Sequence, residues 1–344
     1  MSDLQRALAL ELPVIQAPMA GVQDHALAVA VSNVGGLGSL PCAMFDIEGV
    51  RRELTALRSG TDGPFNLNFF CHAQPAVDAG REASWRAALA PYYREFDLDI
   101  DAVPVGSGRV PFNPEAAELV EEFHPPVVSF HFGLPAPVLL ARVRRSGAKV
   151  ISSATTVDEA LWLEQHGVDA VIAQGLEAGG HRGHFLSDDL SRQSATFALL
   201  PQVVRAVRIP VIAAGGIADA TGVAAALSLG AALVQVGTAY LLCREATTSR
   251  IHRDALASDA SRHTALTRLF TGRPARGIVN RLMREQEAAG LAPAFPLATA
   301  AIAPLRKAAE ARGSGDFSPL WSGQNASGCR AVSAAELTRG LFQA

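Results

Sequence analysis

The chain has little cysteine, and the cysteines that it has are scattered. Four cysteines occur among 344 residues, with no CxxC pair, so neither a disulfide framework nor a zinc site is indicated. The HRGH motif at 181–184 has no third ligand at metal-binding spacing, and we predict no metal site. Reduced, mostly buried thiols are typical of cytosolic proteins, so we expect a cytoplasmic protein.

Charge and long hydrophobic runs are also scarce. Charged residues make up only 18% of the chain and the formal net charge is -3, so no strong field would attract nucleic acid or an anionic membrane surface. The N-terminus, MSDLQRALALELP, has an early acid and no sustained apolar core, unlike a signal peptide. No apolar run approaches the roughly 20 residues that cross a bilayer. We predict neither a nucleic-acid partner nor a membrane association.

What the chain does have is a repeated pattern of short apolar runs, each followed by a helix-like segment. The runs are nearly continuous in apolar character, as in parallel strands that helices cover. The eight runs are VIQAPM (14–19), GLGSL (36–40), FNLNFF (65–70), VVSFHFG (127–133), KVISSA (149–154), AVIAQG (170–175), PVIAAGG (210–216) and LVQVGTAY (233–240). Eight βα units predict an α/β fold, the TIM (β/α)8 barrel, with its chemistry at the carboxyl ends of the strands.

Two regions depart from the repeat. Residues 71–114 contain the Pro/Gly-rich run VPVGSGRVPFNP and predict an irregular insertion after the third strand, whereas the residues beyond 241 are predicted to be mostly helical. We expect a barrel over 1–240, a helical lid or substrate domain over 241–300, and a C-terminal segment over 301–344 that returns to the barrel. The terminal helices could pack on their own barrel or on a neighbouring subunit, so the oligomeric state is left open.

Glycines cluster after the last three runs. Either they only permit tight turns, or they let backbone N–H groups approach a phosphate, which TIM barrels commonly hold after strands seven and eight. Two such turns on adjacent strands favour the phosphate site. The residues positioned for that site are Gly215, Gly216, Gly237 and Thr238, whereas Gly179 and Gly180 belong to the turn after the sixth run.

Four amides interrupt the apolar runs near their carboxyl ends, at Gln16, Asn68, Gln174 and Gln235. An unpaired buried amide costs about 1–3 kcal/mol. The amides therefore either satisfy one another in the core or bind the polar rim of a heterocycle. A phosphate site beside an amide-lined barrel mouth suits flavin mononucleotide (FMN). No GxGxxG element follows the first run, which argues against a Rossmann-bound dinucleotide.

Three histidines are candidates for the chemistry. His181 follows Gly179 and Gly180, and its imidazole could act as a base, orient an anionic substrate, or serve as a structural hydrogen-bonding group. His184 competes for the same role. His131 lies in the fourth run, where a satisfied core histidine is the commoner occurrence.

Several motifs, in order over roughly residues 13 to 280, resemble the nitronate monooxygenases, formerly called 2-nitropropane dioxygenases. They are QAPMAGV (16–22), GGLGSLPC (35–42), PFNLNFF (64–70), GLEAGGHRG (175–183), PVIAAGGIAD (210–219) and VQVGTAYLLCREA (234–246), and WSGQNA (321–326) resembles the tail motif of the same group. The resemblance implies an FMN-containing TIM barrel with a smaller, mostly helical substrate-covering domain.

The resemblance also implies roles for individual residues. His181 matches the active-site histidine of the family. The reaction implied is oxidation of an alkyl nitronate, such as propionate 3-nitronate, with O2 to an aldehyde and nitrogen oxides; His181 would orient a nitronate but act as base toward a neutral nitroalkane. The implied FMN contacts are Met19, Asn68, Gln174, Gly179, Gly216, Gln235, Val236, Gly237 and Thr238.

The sequence departs from the family in its tyrosines. Some members place tyrosines and a lysine of the C-terminal part in the substrate pocket, but the tyrosines here are Tyr92, Tyr93 and Tyr240. Lys307 lies in a segment that is typical of a helix with a solvated basic turn. The pattern therefore leaves the substrate open.

Three other functions remain compatible with the motifs. Flavin- and NAD(P)H-dependent enoyl-acyl-carrier-protein reductases also resemble GLEAGGHRG and the paired-glycine turns. A non-redox isomerase or lyase could use the same turns to hold a phosphorylated sugar. A catalytically silent FMN-binding protein would be yellow, and substitution of His181 would leave every rate unchanged.

Overall fold

Residues 1–104, 109–286 and 290–343 are described by the computed structural model. Part of the Pro/Gly-rich run, at 105–108, lies outside these residues. The strands of the main sheet are β1 (Val14–Gln16), β2 (Gly38–Pro41), β3 (Phe65–Phe70), β4 (Val127–His131), β5 (Lys149–Ala154), β6 (Ala170–Gln174), β8 (Val211–Ala214) and β9 (Leu233–Val236). A small sheet contains β7 (Gly180–His181), β10 (Thr264–Thr267) and β11 (Ala275–Ile278).

The main sheet is the predicted TIM barrel. Its eight strands are parallel in the order β1-β9-β8-β6-β5-β4-β3-β2, and a bridge between Ile15 and Leu37 joins the two ends. Strand β3 shows why alternation is absent from the sequence, since all six of its residues are buried. The prediction of the barrel is confirmed.

Helices cover the barrel in the order that the βα repeat requires. They are α2 (His25–Ser32), α3 (Ile47–Gly60), α5 (Pro114–Phe123), α6 (Pro137–Arg145), α7 (Val157–Gln165), α8 (Thr196–Ala206) and α9 (Ala220–Ser228). Polar side chains cap all of these helices except α6 and α8. The side chain of Asp219, for example, accepts a hydrogen bond from the Gly222 N–H, and that of Thr156 accepts one from the Glu159 N–H. Helix α1 (Asp3–Ala7) contributes Leu4 to a buried cluster with Ile15 and other strand residues.

A second hydrophobic cluster lies apart from the barrel core. Helix α4 (Ala79–Glu95) contributes Trp85, Leu89 and Tyr93 to it, and α12 (Thr299–Ala311) contributes Leu305. The insertion expected to be irregular therefore contains a long helix, because its apolar side chains recur at helical spacing and pack on a segment more than 200 residues away. The division of the chain at 240 and 300 stays a prediction.

The remaining helices follow the barrel in sequence. They are α10 (Arg250–Ala257), α11 (Arg281–Gln286) and α13 (Ala334–Gly340). Between α10 and α11, β10 and β11 form a hairpin whose second strand pairs with β7, so part of the region predicted to be mostly helical is a sheet. Within the described ranges, no helix is long and apolar enough to cross a membrane.

Candidate active site

A cleft with an empty volume of about 1330 Å³, part of it open to solvent, lies at the carboxyl ends of the barrel strands. Strand-end residues from β3, β6, β8 and β9 line it together with the turns that follow. Of the residues singled out from the sequence, the cleft brings together Met19, Asn68, Gln174, Gly179, His181, Gly216, Gln235, Gly237 and Thr238. Val236 is outside this lining, because its side chain is 1% exposed and packs in the barrel core.

His181 is held by both its main chain and its side chain. It lies on β7, opposite Ala275 of β11, and its Nε2 is 2.9 Å from the hydroxyl oxygen of Thr271. Its carbonyl oxygen accepts hydrogen bonds from Nε2 of Gln174 at 3.0 Å and from Nε2 of His131 at 3.2 Å. A side chain fixed in this way loses little freedom when a ligand binds.

The surroundings of His181 favour a neutral imidazole. Burial, followed by the positive charge of Arg109, lowers the pKa of His181 well below 6.5. The ring centroids of Phe295 and Trp321 lie 5.3 and 5.6 Å from its own. Near pH 7 the imidazole is thus able to accept a proton or a hydrogen bond, and it adds no charge to the cleft.

The other two candidate histidines have different environments. His131 uses both ring nitrogens, one toward the His181 carbonyl oxygen and the other, Nδ1, at 3.0 Å from the hydroxyl oxygen of Ser153. Burial lowers the pKa of His131 to about 3, so it is a satisfied neutral histidine at the edge of the cleft. His184 is 1% exposed, does not line the cleft, and has Nε2 3.3 Å from a carboxylate oxygen of Asp188.

The strand-end amides divide between the two alternatives that the sequence left open. Gln16 belongs to the core, because its Nε2 donates to Oε1 of Gln23 at 2.7 Å and its Oε1 accepts from the Ser39 N–H at 3.0 Å. Asn68 lines the cleft and donates to the hydroxyl of Ser129 at 2.9 Å.

Gln174 and Gln235 also differ. Both ends of the Gln174 amide bind the turn after β6. Its Oε1 accepts a hydrogen bond from the Gly183 N–H at 2.8 Å, and its Nε2 donates to the carbonyl oxygen of His181. Oε1 of Gln235 is buried and has no hydrogen-bond partner among the described residues, although the side chain lines the cleft. A buried amide oxygen without a partner is costly, so this atom is suited to accept a hydrogen bond from a ligand.

The glycine turns form an open cradle of main-chain donors. Gly215 and Gly216 have φ values of +118° and +73°, which favour glycine. In the described part of the chain, no hydrogen bond uses the main-chain N–H of Gly216, Gly237 or Thr238. Free N–H groups in residues that line one cleft are suited to an anion such as a phosphate.

The WSGQNA segment lies against this cradle. The Gly323 N–H donates to the Thr238 hydroxyl at 2.9 Å, and Nδ2 of Asn325 donates to the Gly216 carbonyl oxygen at 3.0 Å. A Cβ on Gly179 would lie 2.5 Å from the Gly323 nitrogen, so only glycine lets the tail approach this closely.

The cleft lining also includes Arg109, His252 and Trp321, for which no individual role was predicted from the sequence. They come from the insertion, from α10 and from the tail, and only the folded chain brings these segments together. His252 is 4% exposed and its Nε2 has no partner within the described ranges. A buried polar side chain on an otherwise apolar helix face is the one weak signal that the sequence offered for it.

The tyrosines and Lys307 lie outside the cleft. Tyr92 and Tyr93 pack in the second hydrophobic cluster, and the hydroxyl of Tyr240 is 2.8 Å from that of Thr338. Lys307 is exposed on α12. Among the described residues, the titratable side chains that line the cleft are therefore those of histidines and of Arg109.

A closed eight-stranded barrel with a cleft over the carboxyl ends of its strands defines the chain as a TIM-barrel enzyme. The family model described as nitronate monooxygenase matches residues 2–344. The chain belongs to the nitronate monooxygenase family and is an oxidoreductase.

Relatives and solved structures agree with this assignment. A nitronate monooxygenase of Paraburkholderia phytofirmans is 41% identical over 342 residues, covering 97% of this chain and 92% of the relative. One of Pseudomonas aeruginosa is also 41% identical over 342 residues, covering 98% and 97%. The crystal structure of a nitroalkane oxidase from Streptomyces ansochromogenes superimposes with a TM-score of 0.91 at 38% identity, covering 98% and 96% of the two chains. FabK from Thermotoga maritima gives 0.74 at 27% identity, covering 99% and 94%.

Proposed function

We propose that this oxidoreductase depends on FMN and oxidises alkyl nitronates, such as propionate 3-nitronate, with O2 to an aldehyde and nitrogen oxides. Its family and its likeness to a nitroalkane oxidase support oxidation of nitronates or nitroalkanes. The observation that carries the finer proposal is the placement of neutral His181 in the same cleft as the free N–H groups of Gly216, Gly237 and Thr238.

The residues of the cleft fit FMN. Gly216, Gly237 and Thr238 would hold its phosphate through their main-chain N–H groups. The unpartnered Oε1 of Gln235, with Asn68, would receive the polar rim of the ring system. Bound there, FMN supplies the electron acceptor for the oxidation.

His181 would then act on the nitro group of the substrate. A nitronate already carries the negative charge, so the imidazole needs only to orient it, and the bond between Nε2 and Thr271 fixes the ring for this purpose. From a neutral nitroalkane, the neutral imidazole can accept the proton of the carbon that bears the nitro group, leaving the nitronate. The lowered pKa keeps the imidazole unprotonated and ready for either role.

The test is an anaerobic visible spectrum of the purified protein. Propionate 3-nitronate is added to one cuvette, and NADPH or NADH to parallel cuvettes. Flavin bands that change with the nitronate and remain unchanged with the nicotinamides are expected. Bleaching by a nicotinamide alone would favour the enoyl-acyl-carrier-protein reductase instead. A colourless protein that FMN does not reconstitute would contradict both functions and favour a non-redox barrel enzyme.

A further inference from the structure

Arg109 lines the cleft with part of its guanidinium group unused. Its Nη1 is buried and has no hydrogen-bond partner in the ranges that the structure describes. Its Nε contacts the thioether sulfur of Met44 at 3.1 Å, which is a weak acceptor for a cation. No carboxylate of a described residue lies within 4.0 Å of this guanidinium, and burial lowers the pKa of Arg109.

Other arginines near His181 are satisfied by the protein. Arg182 is 0% exposed and donates from Nε, Nη1 and Nη2 to Gln193 and to the carbonyl oxygens of Gly175 and Gln174. Arg273 donates to the carbonyl oxygens of Arg182 and His184. These two side chains hold the loop after β6 in place. The guanidinium of Arg109 makes no comparable hydrogen bonds to the described residues. Because burial of an unpaired charge is unfavourable, an anion from outside the chain would stabilise it.

Arg109 and His181 both lie beside the ring of Phe295. Its guanidinium carbon lies 5.5 Å from the centre of the Phe295 ring, and the centre of the His181 ring lies 5.3 Å from the same point. Arg109 also lines a neighbouring groove with Met44 and Leu297. Arg109 therefore lines the same cleft as His181 and, at the same time, this second groove.

We infer that Arg109 is a specificity-determining residue that binds a carboxylate of the substrate, one that is separate from the reacting nitronate group. The inference rests on the proposed function and assigns this chain to nitronates that carry an acid at the far end of a short chain. A guanidinium fork suits a carboxylate because two parallel N–H donors meet its two oxygens.

The first experiment compares two substrates of equal carbon number. Propionate 3-nitronate carries the carboxylate, and propyl-1-nitronate has a methyl group in its place. Arg109→Met is expected to lower kcat/KM for propionate 3-nitronate by about ten- to a hundred-fold, mainly through KM. It should change kcat/KM for propyl-1-nitronate by less than about threefold. Arg109→Lys, which keeps the charge but loses the fork, should lie between the wild type and Arg109→Met on the first substrate.

Two results would overturn the inference. Equal losses on both substrates would mean that Arg109 acts on the nitronate group or on His181, and no loss on either would mean that it binds no substrate group. The flavin spectrum and thermal unfolding of each variant show whether the fold is intact.

A second experiment needs neither a variant nor turnover. The protein loaded with FMN is titrated by calorimetry with 3-nitropropionate and with 1-nitropropane, and the acid should bind at least about tenfold more tightly. Equal affinities would overturn the inference even if the variants misfold. Selective binding of the acid without turnover of any nitronate would contradict the proposed function and leave the role of Arg109 standing. Turnover of both nitronates, with equal binding of 3-nitropropionate and 1-nitropropane, would support the proposed function and contradict the role of Arg109.

Discussion

The side-chain amide of Gln174 holds both ends of the turn that carries His181. Nε2 of Gln174 donates to the carbonyl oxygen of His181 at 3.0 Å, and Oε1 accepts from the Gly183 N–H at 2.8 Å. The last residue of strand β6 thereby connects the rigid barrel to the loop that delivers the histidine. Gln235 lies near the end of β9, which β8 separates from β6 in the sheet, and its Oε1 has no partner among the described residues.

Replacing these two amides by methionine should therefore give different results. Gln174→Met leaves the buried Gly183 N–H unpaired and removes one of the two donors to the His181 carbonyl oxygen. It is expected to lower the free energy of unfolding by about 1–3 kcal/mol. Gln235→Met removes no protein hydrogen bond of Oε1, so stability of the apoprotein should change little while FMN affinity falls. Denaturant unfolding of the apoproteins and fluorescence titration with FMN measure the two effects. Equal destabilisation by both changes would contradict this assignment.

The role of His181 is tested by replacement with asparagine. His181→Asn should lower turnover of a nitronate by roughly ten- to a hundred-fold, because one contact to an anionic group is lost. The loss should be larger for a neutral nitroalkane, since asparagine cannot accept its proton at neutral pH. Steady-state oxygen consumption with matched nitronate and nitroalkane gives both rates. A variant as fast as the wild type on nitronates would show that His181 is structural.

Thr271 offers a milder change at the same place. Thr271→Val removes the hydroxyl that is 2.9 Å from Nε2 of His181, whereas Thr271→Ser retains it. We expect kcat to fall in the valine variant and to stay near wild type in the serine variant. In the background of His181→Asn, Thr271→Val should lower kcat by a smaller factor, because the bond between Thr271 and Nε2 of His181 is already lost.

Acid should destabilise the fold before carboxylates are protonated. Burial lowers the pKa of His131 to about 3 and that of His252 to about 4, both from 6.5. Below pH 6.5 the unfolded chain binds protons that the folded chain does not, so stability is greatest above pH 6.5 and falls as the pH drops toward 4.

The expected slope is at most about 1.4 kcal/mol per pH unit for each such histidine. Urea unfolding at pH 7.5, 6.5 and 5.5 measures it. His252→Gln should reduce the slope, because glutamine takes up no proton in the unfolded chain. A midpoint that stays constant over this range would contradict burial of the neutral histidines.

The barrel was predictable because it depends on local patterns. Continuous apolar runs such as FNLNFF at 65–70 signal strands that are buried on both faces, and glycines at strand ends signal close backbone approach. For Gln174 the sequence indicated only part of the answer. An amide in an apolar run predicts a buried polar contact, but the partner, the turn at 181–183, depends on the fold. Arg109 gave no signal, because its neighbours Met44 and Phe295 come from distant parts of the chain.

The tail segment at 321–326 should control FMN binding through Gly179. In Gly179→Ala the new Cβ would lie 2.5 Å from the Gly323 nitrogen, so the tail must move and the bond from the Gly323 N–H to Thr238 weakens. Gly147→Ala is the matched control, because Gly147 has a φ of +89° and a Cβ there meets nothing within 4 Å. Its cost is backbone strain alone, roughly 1 kcal/mol.

Both glycine variants should therefore unfold at lower temperature, but only Gly179→Ala should bind FMN about tenfold or more weakly, since about 1.4 kcal/mol of binding free energy corresponds to that factor. Thermal unfolding of the apoproteins and FMN titrations separate the two effects. Unchanged FMN affinity in Gly179→Ala would mean that the tail does not support the cradle formed by Gly216, Gly237 and Thr238. Weakened affinity in both variants would mean that general stability, and not the close approach of Gly179 to Gly323, determines how well the cofactor is held.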